Sequence, residues 1–251
     1  QYNDETMFEY GWYSTNGQDV RTGYTNGIPT SGTDNEGLGK GGSQMIAMPT
    51  FYFEFEEDDQ RRDVSVCNYG LKLSTGNNAY QMNTFAGMGV GKYRINWKKV
   101  RGSSDSKRDF NWPILRYSDV LLMYAEAVHE TSGMTEEVWN KTIRPIRERA
   151  GFTADAALNF PAGKSKEEMR QIIRDERRVE MAMEGLRWYD IKRWKAGNEY
   201  LSGKVRGASF VDENKLDTRK FEEARDYLWA VPISEINLNP NLAPNNPGYG
   251  N

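Results

Sequence analysis

Arg174-Asp-Glu-Arg-Arg-Val-Glu180 concentrates ionisable side chains on a short run, and Glu184, Arg187, Asp190 and Arg193 continue the series beside Trp188 and Trp194. Two chemistries could use such a set. One is an acid–base centre, in which neighbouring charges shift a carboxyl or a base toward neutral pH. The other is a structural ion network. Opposite charges recur three positions apart, at Asp175/Arg178 and Arg177/Glu180. On a helix each such pair is worth only ~0.2–0.5 kcal/mol when exposed. We read Arg177, Glu180, Glu184, Arg187 and Asp190 as a partly buried network that fixes the packing of the last helices. Charge clusters of this kind are often structural.

Other reactive residues are sparse. His129 is the single histidine and follows an apolar helical stripe, so it cannot build a multi-histidine metal site. It reads as a helix-end side chain favoured by the helix dipole. Cys67 is the single cysteine, which excludes an internal disulfide and a multi-cysteine metal site. Gly37-Leu-Gly-Lys-Gly41 and Gly87-Met-Gly-Val-Gly91 lack the Lys-Ser/Thr ending of a phosphate loop. Asn140-Lys-Thr142 fits a glycosylation sequon but falls in a helical pattern. No cofactor is expected, and no motif supports calcium in the Asp- and Asn-rich stretches. A glycoside hydrolase would need two carboxylates about 5–10 Å apart flanking a cleft. Among the 36 acidic residues, no pair stands out from the helical charge series.

Composition narrows the classes further. The 251 residues suit one large domain, and a net charge of −3 gives no basic footprint for nucleic acid. Only 37% of residues are hydrophobic, yet 7 are Trp and 14 are Tyr. Such a chain offers flat amphipathic surfaces to a ligand, although large aromatics are mostly core. No apolar stretch approaches the ~18 residues that span a bilayer.

The elements that must position these residues fall into two regions. Residues 1–111 are rich in Gly, Asn, Ser, Thr and Tyr, and 13–44 read as one long loop. Phe51, Phe53 and Phe55 alternate, which predicts a short strand. From Trp112 the pattern turns helical: Tyr117, Val120, Leu121, Tyr124, Ala125 and Val128 form a helical stripe that Gly133 ends. A second helix is expected over Thr135–Ala150, kinked or broken at Pro145 and stopped by Gly151. Two helices joined by a short turn form a tetratricopeptide-like unit, and such units need about three copies to bury their faces. Ser165-Lys-Glu-Glu168 is a capping box that opens a third helix buried through Met169, Ile172, Ile173, Val179 and Met183. Gly185 ends or bends it, and 186–194 adds a short helix.

The stretch from Leu228 to Tyr249 combines Pro232, Pro240, Pro244 and Pro247 with many Asn residues. It is too rich in both to predict a helix, because each proline fixes φ and removes a donor. Trp229, Val231, Ile233, Ile236 and Leu238 call for burial, so an ordered strap laid over the helical body is expected.

Four segments carry a resemblance. Arg174 to Trp194 fits R-x-E-R-x-x-E followed by E-G-x-R-W-x-D-x-x-R-W, with Arg174, Glu176, Arg177, Glu180, Glu184, Gly185, Arg187, Trp188, Asp190, Arg193 and Trp194 in register. Arg116–Ala127 fits R-Y-x-D-V-L-L-x-Y-A-E-A, and Ile143–Gly151 fits the helix that follows. The strap fits W-P-I-P-x-x-E-I-x-x-N-P-x-L-x-Q-N-P-G-Y, with Ala230 at the first Pro and Asn245 at the Gln. In this order the segments resemble the C-terminal half of the SusD/RagB family. They cover 112–249, while 1–111 matches weakly, mainly through Asp58–Asp63, similar to the family's D-x-R-R.

The resemblance implies a mostly α fold: a tetratricopeptide-like superhelix with long irregular loops and a few short strands. It implies one domain, with a loop-rich ligand-binding region over 1–111 and a helical region with a closing strap over 112–251. The implied function is non-catalytic capture of nutrient glycans at the outer face of the outer membrane, for a TonB-dependent, SusC-like transporter. The lipid-anchoring cysteine and the N-terminal helices would lie upstream of Gln1, and that anchor would be the only membrane contact. The family's motifs hold the fold, while variable loops carry the ligand. Candidate platforms are therefore Trp12, Tyr13, Tyr24, Tyr69, Tyr80 and Trp97, with Asn16, Gln18, Asn77 and Asn78 as hydrogen-bonding neighbours. A flat ring stacks on the apolar face of a sugar. A tetratricopeptide-type adaptor with a peptide groove is the alternative from another class.

Overall fold

The computed structural model describes residues 5–10, 30–31, 46–67, 69–72, 77–81, 88–92, 112–205 and 217–250. The first part runs through β1 (Thr6–Tyr10), β2 (Thr30–Ser31), β3 (Ile46–Ala47), α1 (Pro49–Tyr52), α2 (Arg61–Ser65), β4 (Val66–Cys67), β5 (Tyr69–Lys72), β6 (Asn77–Gln81), β7 (Met88–Val90) and β8 (Trp112–Arg116). Helices then dominate: α3 (Tyr117–Ser132), α4 (Glu136–Lys141), α5 (Ile143–Arg149), α6 (Asp155–Leu158), α7 (Lys166–Glu180), α8 (Arg187–Arg193) and α9 (Gly197–Leu201). The chain closes with β9 (Gly203–Lys204), β10 (Thr218–Arg219), α10 (Glu223–Asp226), α11 (Ile233–Leu238) and a 3-10 turn at Pro240–Leu242. The fold is mostly α on a tetratricopeptide-like scaffold, with few and short strands.

The helical core forms where the apolar stripes of α3, α4, α5 and α7 meet. Leu122, Ala125, Trp139, Ile143, Ile146, Met169 and Ile173 are all buried there. Burying each large side chain contributes roughly 1.5–3 kcal/mol. The Trp139 indole N–H is paired too, donating to the Leu158 carbonyl at 2.8 Å. Local chemistry sets the helix ends. Gly133 and Gly151 adopt φ of 87° and 97°, a conformation that favours glycine, and they end α3 and the α4–α5 segment. Ser165 and Glu168 form the reciprocal capping box at the start of α7.

Five expectations need correction. Trp112–Arg116 is a strand, not the start of the helix, and pairs antiparallel with β1, placing Tyr10 opposite Trp112 and Thr6 opposite Arg116. Pro113 pushes Trp112 toward extended backbone, and the two-stranded ribbon tolerates a proline. The Phe51–Phe55 stretch is a helical turn with Pro49 at its start, so Phe51 meets Phe55 edge-on at 5.1 Å while Phe53 is exposed. The expected second helix is two helices broken at Thr142 (φ −121°, ψ −73°). Breaking there places Pro145 in the first turn of α5, where its missing N–H is no loss.

The last two corrections concern His129 and the strap. His129 is buried, and its Nδ1 accepts from the Met134 N–H at 3.2 Å while Nε2 lies 2.8 Å from the Lys166 carbonyl. The ring thus staples α3 to the start of α7. Residues 233–238 of the strap do form a helix, because Pro232 presents a fixed φ at its N-cap. Trp229, Ile233 and Leu238 are exposed at 66%, 57% and 81%. The strap closes on itself instead: the Asn245 carboxamide accepts from the Val231 N–H at 2.9 Å and donates to its carbonyl at 3.1 Å.

Candidate functional site

Two arginine–carboxylate clusters are built on the C-terminal half of α7. In the first, Glu180 receives Arg61 at 3.0 Å, Arg116 at 2.9 Å and Arg149 at 2.5 Å. Arg61 also reaches Glu176 at 2.7 Å and Asp59 at 2.7 Å, while Arg147 closes on Glu176 at 2.8 Å. Glu184 takes Arg116 at 2.8 Å and Lys92 at 2.6 Å. In the second cluster Arg177 holds Asp119 at 2.5 Å and Asp190 at 2.9 Å.

These partners differ from the helical spacing. Arg177 and Glu180 turn to different partners, and Asp175 accepts from Gln171 at 2.8 Å. Arg187 lies over the Tyr200 ring at 4.5 Å and the Trp194 ring at 5.5 Å, and among the described residues no carboxylate forms an ion pair with it. Arg61 and Asp59 come from the weakly matching 58–63 stretch, and their charge–spacing pattern was the signal for them.

Electrostatics follow from this crowding. Burial alone would raise the Glu180 carboxyl, but Arg116, Arg149 and Arg61 overcome it and hold it far below the usual carboxylate range. Burial lowers the Lys92 ammonium, against the pull of Glu184. A general acid needs a carboxyl poised near the working pH. Glu180 is driven the opposite way, so the network suits rigidity rather than proton transfer.

Above the second cluster lies a cleft of about 770 Å³, between the end of α7, helices α8 and α9, and the segment around Met48 and Phe51. A shallower groove of about 470 Å³ adjoins it and shares Trp188, Leu201 and Arg219. Trp188 and Trp229 wall this groove with ring centroids 5.9 Å apart and planes inclined at 48°. The Lys192 ammonium sits 5.3 Å and 4.8 Å from the two ring centroids. Sequence reasoning missed this pair, because it assigned Trp229 to the core and Trp188 to a structural motif.

Of the ligand-contact candidates, Trp12, Tyr13, Asn16, Gln18, Tyr24 and Trp97 lie outside the described residues. Asn78 and Tyr80 fall on β6, opposite Leu71 and Gly70 of β5, and Tyr69 faces Gln81 in the same ribbon. Among the described residues no three His, Cys, Asp or Glu side chains converge as a metal site, and no helix is long and apolar enough to cross a membrane.

Comparison with known proteins places this geometry. A SusD-like protein, P2, from Formosa agariphila is 34% identical over 219 residues, covering 84% of this chain and 41% of that protein. The crystal structure of a SusD homolog from Bacteroides thetaiotaomicron superposes with a TM-score of 0.74 at 24% identity, covering 98% of this chain and 52% of that one. Surface glycan-binding protein A from the same organism, in complex with laminarihexaose, gives a TM-score of 0.62 at 18% identity, covering 96% and 52%. This chain therefore spans about half the length of such relatives. The SusD family model matches residues 4–249, nearly end to end, and the chain belongs to the SusD family.

Proposed function

We propose that this chain forms part of a non-catalytic, cell-surface glycan-binding protein that delivers oligosaccharide to a TonB-dependent outer-membrane transporter. The observation that carries the reading is the family match over 4–249, together with a fold shared with a protein bound to laminarihexaose. The charge chemistry supports a binding role. Among the described residues the lining of the cleft includes one carboxylate, Asp190, and Arg177 and Arg193 both hold it. A retaining or inverting hydrolase would need two carboxylates facing the bond to be cleaved. In this reading the protein sits on the outer face of the outer membrane, held by a lipid anchor.

Calorimetric titration with plant, host and storage oligosaccharides tests the proposal, with Trp12→Ala and Tyr24→Ala run alongside. Saturable binding with the saccharide recovered intact is the expected result. Loss of binding in either variant would put the ligand on residues 1–111. Release of shortened products would overturn the non-catalytic reading, and absence of binding to every glycan would overturn the ligand class.

A further inference from the structure

We infer that the cleft and the aromatic groove beside it form one continuous site for an acidic saccharide, in which Arg187 and Arg219 receive carboxylate or sulfate groups and Trp188 and Trp229 stack on the sugar rings. The inference rests on the glycan reading above and narrows it to a substrate class.

The charges lining the cleft are one-sided. Among the described residues Lys92, Arg177, Arg178, Arg187, Lys204 and Arg219 line it, against one carboxylate, Asp190. Internal acids hold three of these cations: Lys92 by Glu184, Arg177 by Asp119 and Asp190, and Arg178 by Glu54 at 2.6 Å. Arg187 differs. The acids whose fields reach it are Glu54, Asp175 and Asp190, and each is bonded to another side chain, namely Arg178, Gln171 and Arg177. A half-buried guanidinium beside a second guanidinium, resting on rings and closed by no carboxylate, is short of an anion. Burial and then Arg178 depress its basicity, which an incoming oxyanion would relieve. Arg219 is exposed at the junction of the two cavities, and among the described residues it enters no ion pair.

The groove supplies the complementary chemistry. Trp229 offers an indole that is 66% exposed, and Tyr249 lies in the same groove. The Trp188 Nε1 donor is buried, and among the described residues it has no acceptor. Stacking platforms serve any sugar, whereas planar guanidinium groups with no carboxylate partner select oxyanions through paired, charge-assisted hydrogen bonds.

The test compares three probes of equal length by calorimetry at low and at high salt: laminarihexaose, a hexagalacturonate and a sulfated galactan hexasaccharide. We expect at least one acidic probe to bind about tenfold more tightly than laminarihexaose at low salt, as a charge-assisted contact would give. That advantage should shrink at high salt. Arg219→Gln and Arg187→Gln should each weaken the acidic probe roughly five- to tenfold and laminarihexaose by clearly less. Trp229→Ala should weaken every probe that binds. The uronate and sulfate arms identify the oxyanion. Equal affinity for neutral and acidic probes, or acidic binding untouched by Arg219→Gln, which sits at an exposed position, overturns the inference while the glycan reading stands. Failure of all three probes overturns this inference, and the wider oligosaccharide panel decides the glycan reading separately.

Discussion

The Arg61 guanidinium lies 3.0 Å from the Glu180 carboxylate, joining residues 119 positions apart and locking α2 to the end of α7. Glu180 also holds Arg116 and Arg149, which belong to β8 and α5. One buried carboxylate thus ties four elements together. Glu180→Gln would leave three guanidinium groups clustered without their shared anion. Removing one partner of a buried ion network costs about 3–5 kcal/mol. Chemical denaturation of the variant should show an unfolding free energy lower by that amount, seen as a lower midpoint with an unchanged denaturant slope. A loss below about 1 kcal/mol would mean that solvent screens the network, as at exposed salt bridges.

The same residue sets an acid limit. The folded Glu180 carboxyl is depressed below its unfolded value, so its contribution is fully present above the unfolded pKa of about 4.3. It is lost as pH falls below that value toward the folded pKa. Glu5 and Glu126 are depressed in the same direction, each by arginine partners that outweigh burial. The melting temperature should therefore fall steeply below about pH 4.5, and the slope should be shallower in Glu180→Gln. Parallel melting curves for the two proteins from pH 3 to 6 would refute the assignment.

What was legible in the sequence was local. Gly133, Gly151 and the Ser165/Glu168 capping box end or begin helices through chemistry within a few residues. The register of Trp112–Arg116 was not legible, since its partner strand starts at Thr6 and the pairing is tertiary. The charge run at 174–190 was visible, but its geometry was not. Arg177 lies three residues from Glu180 yet bonds Asp119, 58 positions away. The strap misled for the opposite reason. Its apolar residues suggested burial, while the side-chain amides of Asn245 and Asn246 fold it back on itself and leave Trp229 outward.

His129 offers a sharper test of helix docking. His129→Ala would strand the Met134 N–H and the Lys166 carbonyl in a part-buried setting. An unsatisfied buried polar group costs about 1–3 kcal/mol, and a cavity adds to that. His129→Gln should recover part of the loss, because its amide can both donate and accept. Hydrogen exchange should accelerate at the start of α7 and at Met134 before it accelerates elsewhere. Uniform acceleration would assign His129 a packing role alone.

Gly197 links the strap to the aromatic groove. Its N–H donates to the Tyr227 hydroxyl at 3.0 Å, and a Cβ placed there would meet the Phe221 ring at 2.2 Å. Phe221 is buried and packs edge-on against Tyr227 at 4.8 Å, so neither ring can yield independently. Gly197→Ala should cost about 1–3 kcal/mol, as overpacking does. It should also displace Phe221, which lies in the same groove as Trp188 and Trp229. Tryptophan fluorescence reports that displacement directly, and proteolysis reports release of the strap. If Gly197→Ala changes neither the emission spectrum nor strap cleavage, the floor beneath Phe221 is looser than the packing indicates. Acidic-probe affinity should fall in the variant together with the spectral change, because the stacking pair and Arg219 share that floor.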